Sequence, residues 1–577
     1  MSKPLVVAAI DFGTTFSTCG FSFRHEYESD PTNITAKQWT GLKSAVSLKG
    51  PTSILINPDG QTIDSFGFDA EDKYAELVEK GQHNDWYFFK RFKMQLYDKI
   101  GIQNDFTVKD ASGKCLMAKT VFSLSIRYFK DDLIDMMSEK HIFVGDLTEN
   151  VIMWVLTVPA IWNDTAKQFM REAAENAGIR HERLIIALEP EAASVYCRLL
   201  PTTRNQDSVG QLPSGSKYMI LDAGGGTVDI TVHETTQTRE LKEIYKASGG
   251  DWGGTMVDRA FEEFISEILG SDVMRTLKEE EVESYLDVMR NFEVKKRLTK
   301  KDTQVTMHIP TFLTNVPEKK RDEYFKNKIS EAGYDEENVS IKRDKLKLHS
   351  DVIKGFYQRS LDNITDHLTF LFQKPELTDC DILLMVGGYS ESPLLQQRIK
   401  ETFPNMKIVV PSDAGLAVLK GAVIYGHNTS VIAQRVCKYT YGNGYAHEFS
   451  PDCDHPPTKT FYANGVKWCA DLFFAHVHAG DVIQLGDERE VHQFLPIVPW
   501  QTEIYSSIHC TKERDPVLVT SPGCVKLGYI TLPIPDTTGG RFRIIDLSFL
   551  FGGTEIEVKA KDPRDGTFRK VKVSFWG

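Results

Sequence analysis

The sequence predicts an α/β protein of two lobes, followed by a smaller all-β unit without a helical lid. Short apolar runs alternate with long helical periods as far as residue 428, which is typical of α/β folds with parallel strands. After residue 430 the helical periods end, and residues 555–561 alternate apolar and polar side chains, as in a half-buried β-strand. Two similar glycine-rich turns, about 200 residues apart, each follow an apolar strand in the first part.

The composition indicates a globular chain with an acidic balance. Of 577 residues, 41% are hydrophobic and 26% are charged, and the net charge is −12. This balance argues against nucleic acid as the main partner, and no run of about 18 apolar residues predicts a membrane span. Nine cysteines without a paired pattern, and an apolar N-terminal run that is closed by Asp11, predict a cytoplasmic protein, with the nucleus as a second possible compartment.

The alternation predicts a first domain over residues 1–428 and a second over residues 429–577. Lobe I is expected over about residues 1–205, lobe II over about 206–400, and a return to lobe I over 401–428. Residues 151–158 and 184–188 are interpreted as buried strands, and a cap-like cluster at 163–165 precedes a helix to Ala177. The same pattern predicts strands at 218–221 and 381–386 and helices at 255–269, 279–298 and 349–372. The second domain is predicted to be a β-sandwich, with a hairpin that resumes after the turn at 562–566.

The two glycine turns point to phosphate chemistry. Asp11 ends one apolar strand and Asp222 ends the other, and a carboxylate there can hold hydrated Mg²⁺. Glycine lets backbone N–H groups approach a phosphate closely, and neighbouring hydroxyls add donors. The phosphate-binding candidates are Gly13, Thr14, Thr15, Gly224, Gly225, Gly226 and Thr227. Because a strand follows each turn, these are not Walker or Rossmann loops; the alternative is a pair of ordinary glycine hairpins.

A third glycine pair, Gly387 and Gly388, ends the buried strand at 381–386 and is followed by Tyr389. A helix is predicted to begin near Pro393. This placement suits close packing against the base or sugar of a nucleotide. As an isolated motif it is not specific, since glycine pairs often follow strands.

In order and spacing, these turns resemble the heat-shock 70 kDa family of the actin and sugar-kinase ATPase superfamily. The resemblance is also carried by residues 158–164, 189–193 and 386–388. The sequence resembles still more closely a divergent branch of this family, heat shock 70 kDa protein 12A/12B. The segments that carry this finer resemblance are 86–94, 414–423, 439–442, 455–457, 468–469 and 553–556.

The resemblance implies a two-lobed actin-like (ribonuclease H-like) ATPase domain that binds ATP or ADP with Mg²⁺ in its cleft. Asp11 and Asp222 would organise the metal through water, and Glu189 would be the catalytic carboxylate that orders or deprotonates the attacking water. Thr227 would lie near the γ-phosphate. Without the resemblance, a strand-end salt bridge would be the preferred interpretation of Glu189.

The resemblance also implies a catalytic lysine and a helix that contacts the nucleoside. Lys90 is the better positional match for the lysine, and Lys93 remains the alternative. Glu293, Lys296 and Arg297 match the helix that contacts ribose and adenine, and a planar guanidinium can stack on a purine. A solvated helical face is the alternative for this charged group.

Several departures from the family make the prediction of an ATPase stronger than that of a foldase, a chaperone that traps and refolds peptides. Tyr389 and Glu391 stand where family members have small and basic residues, so the preference for ATP over other nucleotides is left open. Residues 431–437 replace the acidic-leucine linker, and Asp413 is displaced from the family's pattern. No helical lid or acidic C-terminal tail is recognised. Co-chaperones of the tail-binding kind are therefore not expected, although others remain possible.

Three functions are compatible with these features. The first is an ATP-hydrolysing, chaperone-like protein of the stress response, with a protein or peptide client or another ligand at its β-domain. The second is a nucleotide-switched scaffold with little turnover. The third is a small-molecule kinase, since the same fold phosphorylates sugars, although no sugar-recognition motif is recognised.

Overall fold

The computed structural model describes residues 3–40, 46–97, 105–139, 151–200, 212–300, 302–311, 316–450, 459–463, 465–488, 492–564, 566–569 and 571–574. The predicted lobe boundary at 205/206 and the segment 455–457 lie outside the described residues.

The first sheet is centred on a fully buried strand, residues 6–11, whose apolar run ends at Asp11. Its strands are β1 Val6–Asp11, β2 Phe16–Phe23, β3 Thr35–Ala36, β6 Gly50–Pro51, β12 Ile152–Val158 and β13 Leu184–Leu188. The order is β13-β12-β1-β2-β3, with β6 beside β2. β1 is antiparallel to β2 and parallel to β12, and strands buried on both faces are expected to be continuously apolar.

The second sheet repeats this arrangement. Its strands are β14 Lys217–Ala223, β15 Val228–Thr235, β16 Leu241–Gly250, β20 Ile382–Val386, β21 Lys407–Val409, β22 Ile432–Val436 and β26 Val482–Gln484. The order is β21-β20-β14-β15-β16-β22-β26. β14 is antiparallel to β15 and parallel to β20, as β1 is to β2 and β12. The two glycine turns therefore occupy equivalent positions, between the first and second strands of two similar sheets.

This second sheet continues past the domain boundary placed at residue 428. β22 is parallel to β16, and β26 is antiparallel to β22. Backbone hydrogen bonding along the edge of the sheet thus joins the chain after 428 to the α/β part. A sequence pattern does not identify which edge a short apolar segment will extend.

Smaller sheets and twelve α-helices complete the described α/β part. The smaller sheets contain β4 Trp39–Thr40, β5 Val46–Ser47, β7 Ser53–Ile56, β8 Ile63–Phe66, β9 Tyr87–Lys90, β10 Thr107–Lys109, β11 Cys115–Met117, β17 Val305–His308, β18 Val339–Lys342 and β19 Lys345–Leu348. The helices are α1 Arg24–Ser29, α2 Phe68–Glu79, α3 Ala118–Glu139, α4 Asp164–Asn176, α5 Glu189–Cys197, α6 Thr255–Leu269, α7 Ser271–Glu279, α8 Val282–Leu298, α9 Glu318–Glu331, α10 Ser350–Phe372, α11 Pro393–Thr402 and α12 Ala417–His427.

The helices α5 and α12 pack between the two sheets. Their apolar residues share one buried cluster with Val7 of β1 and Ile220 of β14. The backbones approach so closely that a Cβ on Gly421 would lie 1.6 Å from the carbonyl oxygen of Ala192. This contact fixes the start of α5, where Glu189 lies.

Apart from β26, the described strands from residue 440 onward form two antiparallel sheets. One has the order β24-β25-β23-β29-β30-β34 and the other β27-β31-β32-β33 with β28 beside β31. Their strands are β23 Thr440–Glu448, β24 Thr460–Ala463, β25 Val466–Val477, β27 Asp487–Glu488, β28 His492–Phe494, β29 Glu503–Thr511, β30 Val525–Pro533, β31 Ile545–Phe551, β32 Glu557–Lys561, β33 Phe568–Arg569 and β34 Lys572–Ser574. Ile508 and Phe549, from different sheets, share one buried cluster.

The C-terminal part of the chain tests the predicted absence of a lid and the predicted hairpin. Among the described residues that follow His427, no α-helix occurs, in agreement with the predicted absence of a lid. The predicted C-terminal hairpin, with its second strand at Val571 and Val573, is wrong: β32 pairs with the short β33, whereas β34, which contains Val573, pairs with β30 of the other sheet. None of the described helices is both long enough and apolar enough to cross a bilayer.

Candidate functional site

A cleft of about 240 Å³ lies where β1 and β14 end, and the two glycine turns face each other across it. A Cβ on Gly225 would lie 1.9 Å from Thr15 Oγ1, and one on Gly226 would lie 2.6 Å from Thr14 Oγ1. Real Cβ atoms do not approach other atoms so closely. These positions therefore require glycine, and the approach of the turns gives a narrow opening lined by backbone and hydroxyl groups.

The second turn is fixed by backbone hydrogen bonds. The N–H of Gly224 donates to the carbonyl of Thr227 at 3.0 Å. The carbonyls of Gly224 and Gly225 accept N–H groups from Gly254 and Thr255 at 3.1 and 2.8 Å. Because Thr255 begins α6, the turn is held against the first turn of a helix, and its shape is set before any ligand binds.

Buried carboxylates surround the space between the turns. Burial raises the pKa of Asp222 well above its usual value, and the charges of Glu189, Asp229 and Asp11 raise it further. Burial also raises the pKa of Glu189 to about 7, against the opposing effect of Lys93. Such a group of carboxylates is stabilised by added positive charge.

The two candidate lysines are placed differently. Lys93 is buried, and its Nζ lies 2.7 Å from Glu189 Oε1. Arg91, with a left-handed φ of 53°, precedes the 3₁₀ turn that contains Lys93. Lys90 lies at the end of β9, with its Nζ 3.0 Å from Glu71 Oε1. The cleft is lined by Lys93 but not by Lys90, so the geometry favours the alternative that the sequence left second.

The charged residues of α8 lie together at the other end of the cleft. Lys296 is buried, and its Nζ lies 2.6 Å from both Asp258 Oδ1 and Glu293 Oε2. Arg297 Nε lies 2.8 Å from Glu293 Oε1. Although burial opposes its charge, these two cations lower the pKa of Glu293 to about 2. The guanidinium of Arg297 also lies over the ring of Phe16, at 5.1 Å from its centroid, which connects α8 to β2.

The third glycine pair packs under Asp222. Gly387 has a positive φ of 86°, and a Cβ there would lie 2.4 Å from Asp222 Oδ1. The buried Tyr389 accepts a hydrogen bond from Ser360 Oγ at 3.1 Å. Glu391 Oε1 accepts the N–H of Gly415 at 3.0 Å, so the departure from the family noted at Glu391 lies in the cleft wall.

Every site residue predicted from the sequence, except Lys90, lines this cleft. Two charged residues near the turns were not predicted. Lys49 lines the cleft with its Nζ 2.7 Å from Asp11 Oδ2, and no motif surrounds it in the sequence. Asp229 is buried, and its Oδ1 accepts the N–H of Ile161 at 2.9 Å. Asp229 follows Thr227 by two residues, and this spacing could have indicated it.

Two similar α/β sheets with opposed phosphate-type turns define an ATPase fold of the actin-like class. The comparisons agree. A family model described as Hsp70 protein matches residues 132–435. The chain is 33% identical to heat shock 70 kDa protein 12A of Homo sapiens, over 99% of this chain and 91% of that protein. It is also 33% identical to heat shock 70 kDa protein 12B of Homo sapiens, over 99% and 90%.

A more distant match is the chaperone protein DnaK of Psychrobacter cryohalolentis, with 26% identity over 51% of this chain and 42% of that protein. The chain therefore belongs to the Hsp70 family and is similar to its divergent 12A/12B branch, which confirms the resemblance read from the sequence. Membership implies a nucleotide-binding ATPase fold.

Proposed function

We propose that this protein binds ATP with Mg²⁺ between two lobes and hydrolyses it to ADP and phosphate. We also propose that a sandwich-like C-terminal β-domain binds a protein or peptide ligand, in a chaperone-like role in the cytoplasm. The observation that carries the nucleotide part is the close approach of the two glycine turns across the cleft. Gly225 lies against Thr15 and Gly226 against Thr14, with no space for a side chain at either glycine. Such backbone-rich turns suit the oxygens of a polyphosphate.

The donor set of the cleft fits hydrated Mg²⁺. The described residues contain no group of three or more His, Cys, Asp or Glu side chains that could hold a metal ion by themselves. Asp11 and Asp222 would therefore hold it largely through water and phosphate oxygens, as is common for Mg²⁺. When bound, the metal supplies positive charge to the phosphates during transfer.

Glu189 is suited to the role of general base. Its pKa of about 7 lies where a base can exist ionised near neutral pH and still accept a proton. Lys93 holds Oε1 at 2.7 Å, which fixes the direction of the carboxylate. Glu189 would then take the proton from the water that attacks the terminal phosphorus.

Lys93 and Thr227 would contact the terminal phosphate. Lys93 is buried on the same side as Glu189, so its ammonium can balance negative charge on both the carboxylate and the phosphate. Thr227 hydrogen-bonds to Asp229, whose pKa is raised by burial and lowered in part by bonds from Ile161 and Thr227. Asp229 would orient the Thr227 hydroxyl and is a positioning residue.

The C-terminal part contains a groove of about 940 Å³. Aromatic side chains contribute much of its wall, and Tyr505 and Phe542 are strongly exposed. An exposed apolar groove of this size supports the proposal of a ligand site. Since no α-helix covers it among the described residues, we expect its ligand to exchange quickly.

The test is an assay of phosphate release and nucleotide binding by the full chain and by Glu189→Gln. We expect ATP binding by both proteins and a much lower rate of phosphate release from Glu189→Gln. Tight binding without release by the parent would contradict hydrolysis and favour the scaffold. ADP production that depends on an added sugar would favour the kinase.

A further inference from the structure

Lys49 brings a positive charge to the phosphate end of the cleft. Its Nζ lies 2.7 Å from Asp11 Oδ2, and its side chain is 23% exposed whereas that of Asp11 is 6% exposed. Lys49 lines the cleft together with Gly13, Thr14 and Thr15. The ammonium thus neutralises a buried carboxylate and remains accessible from the space between the turns.

The backbone that carries Lys49 is held in place. Thr18 Oγ1 donates to the carbonyl of Leu48 at 2.6 Å. Ser47 Oγ donates to the carbonyl of Lys49 at 2.8 Å and accepts its N–H at 3.2 Å. The following residue, Gly50, pairs with Ser17 of β2. A cation on a fixed backbone loses less conformational freedom when it binds an anion.

Asp11 is already compensated by groups of this chain. Lys49 donates to Oδ2, and Thr157 Oγ1 donates to Oδ1 at 3.2 Å. Both oxygens of the carboxylate therefore have donors before a metal arrives. A divalent cation at Asp11 must share or displace the Lys49 ammonium, whereas a phosphate oxygen can contact that ammonium directly.

We propose that Lys49 is a fixed cation for the phosphates of the nucleotide, which lets the cleft bind ADP or ATP without Mg²⁺. The proposal rests on the nucleotide binding put forward above. A lysine is a point charge suited to phosphate, and neutralisation of phosphate charge is the role that a metal otherwise has in such clefts. Mg²⁺ would remain necessary for rapid transfer, while binding would not depend on it.

The test measures ADP affinity calorimetrically for the full chain, once with excess Mg²⁺ and once with EDTA. The parent protein should bind within about threefold under the two conditions. Lys49→Gln should lose about 10- to 100-fold in EDTA, the range for removing a hydrogen bond to a charged group, and Mg²⁺ should restore most of it. Lys49→Arg should behave like the parent.

Lys37→Gln is the matched control, because Lys37 is also a mostly buried lysine paired with an aspartate, Asp132, but does not line the cleft. It should leave the ratio of the two affinities unchanged. Thermal unfolding with Mg²⁺ alone gives an independent measurement. Mg²⁺ should raise the midpoint of Lys49→Gln, whose Asp11 is released, more than that of the parent.

The outcomes separate the two proposals. No ADP binding by the parent in either condition would overturn the proposed function. Binding with Mg²⁺ that falls more than about 30-fold in EDTA would overturn the role of Lys49 alone, as would equal losses for Lys49→Gln in both conditions. If Lys49→Gln does not fold, the double variant Asp11→Asn/Lys49→Gln replaces it, because it leaves no carboxylate without its partner. It should lose ADP affinity in EDTA as Lys49→Gln would, and an affinity equal to that of the parent would overturn the proposal.

Discussion

Lys93 Nζ lies 2.7 Å from Glu189 Oε1, so the cation and the carboxylate at the centre of the cleft form a buried ion pair. The pair couples two parts of the chain that are 96 residues apart, the 3₁₀ turn after β9 and the start of α5. Because a buried charge without its partner is costly, each residue holds the side chain of the other in place.

The first prediction concerns the pH dependence of phosphate release. Burial raises the pKa of Glu189 to about 7, with Lys93 opposing and Asp11 and Asp229 adding to the rise. A general base acts in its ionised form, so the rate should increase as pH rises through about 7 and then level off. Steady-state rates between pH 5.5 and 9 would test this, and the residual rate of Glu189→Gln should show no such step. A falling rate over this range would contradict the assignment of Glu189 as base.

The second prediction distinguishes Lys93 from Lys90. Lys93→Gln should lower the rate of phosphate release by about 100-fold or more, a loss comparable to removing one charge-stabilising donor from an active site. Lys90 instead pairs with the buried Glu71, which also contacts Arg290. Lys90→Gln should therefore lower stability, to an extent limited by Arg290, which still neutralises Glu71. It should leave turnover nearly unchanged, because Lys90 does not line the cleft.

Single-turnover kinetics and urea unfolding of the two variants would make this comparison. If Lys90→Gln were the slower enzyme at full folding, Lys90 would be the catalytic lysine, as its position in the sequence suggested.

The third prediction concerns the opposed turns. A methyl group on Gly225 would lie 1.9 Å from Thr15 Oγ1, so Gly225→Ala must push the two turns apart. We expect nucleotide affinity to fall by at least about tenfold, since contacts to both turns cannot then form together. Calorimetric titration with ADP would measure the loss.

Gly355→Ala is the control for this substitution. Gly355 lies within α10, and a Cβ there meets nothing within 4 Å. Replacing a helical glycine with alanine should stabilise the fold by about 0.5–1 kcal/mol and leave ADP affinity unchanged. If Gly225→Ala and Gly355→Ala lost affinity equally, the close approach of the two turns would not be what limits ADP binding.

The sequence was sufficient to predict the glycine turns and the residues after them because backbone chemistry restricts those positions. Gly225 and Gly387 cannot carry a side chain where they lie, and such restrictions leave a readable pattern. Lys49 and Lys93 reach the cleft through a fixed loop and through the left-handed φ of Arg91. Long flexible side chains can point to several places, so no spacing rule distinguishes Lys93 from Lys90.

The same reasoning applies to the fold. Alternation predicted β32 and β34 as strands, but it could not show that β34 pairs with β30 of the other sheet and not with β32. Nor could it show that β22 and β26 extend the second sheet of the α/β part. Local pattern specifies the type of an element, while its partner depends on which edges remain free after the whole chain has packed.

The fourth prediction concerns the junction that these added strands create. Glu243 on β16 is buried, and its Oε2 accepts the N–H of Val436 on β22 at 2.9 Å. Nearby, Arg435 makes two hydrogen bonds to Glu191, at 2.7 and 2.6 Å. Burial raises the pKa of Glu243 to about 8, and the charge of Glu191 adds to the rise while the bond from Val436 and the charges of Arg435 and Lys167 oppose it.

Glu243 is therefore protonated in the folded state at neutral pH, whereas in the unfolded chain its pKa is close to 4.5. Between these values the folded state binds more protons. The contribution of Glu243 to stability is thus fully present below about pH 4.5 and is lost as pH rises to about 8, at up to about 1.4 kcal/mol per pH unit. Glu243→Gln, which mimics the neutral acid, should remove this slope.

Urea unfolding of the parent and of Glu243→Gln at pH 5.5, 7 and 8.5 would test the junction. The difference in unfolding free energy between the two proteins should change in favour of Glu243→Gln as pH rises, because only the parent must retain a proton there. Other groups titrate equally in both proteins and cancel in this difference. A difference that is constant across the three pH values would show that Glu243 is ionised in the folded protein, with its charge balanced by Arg435.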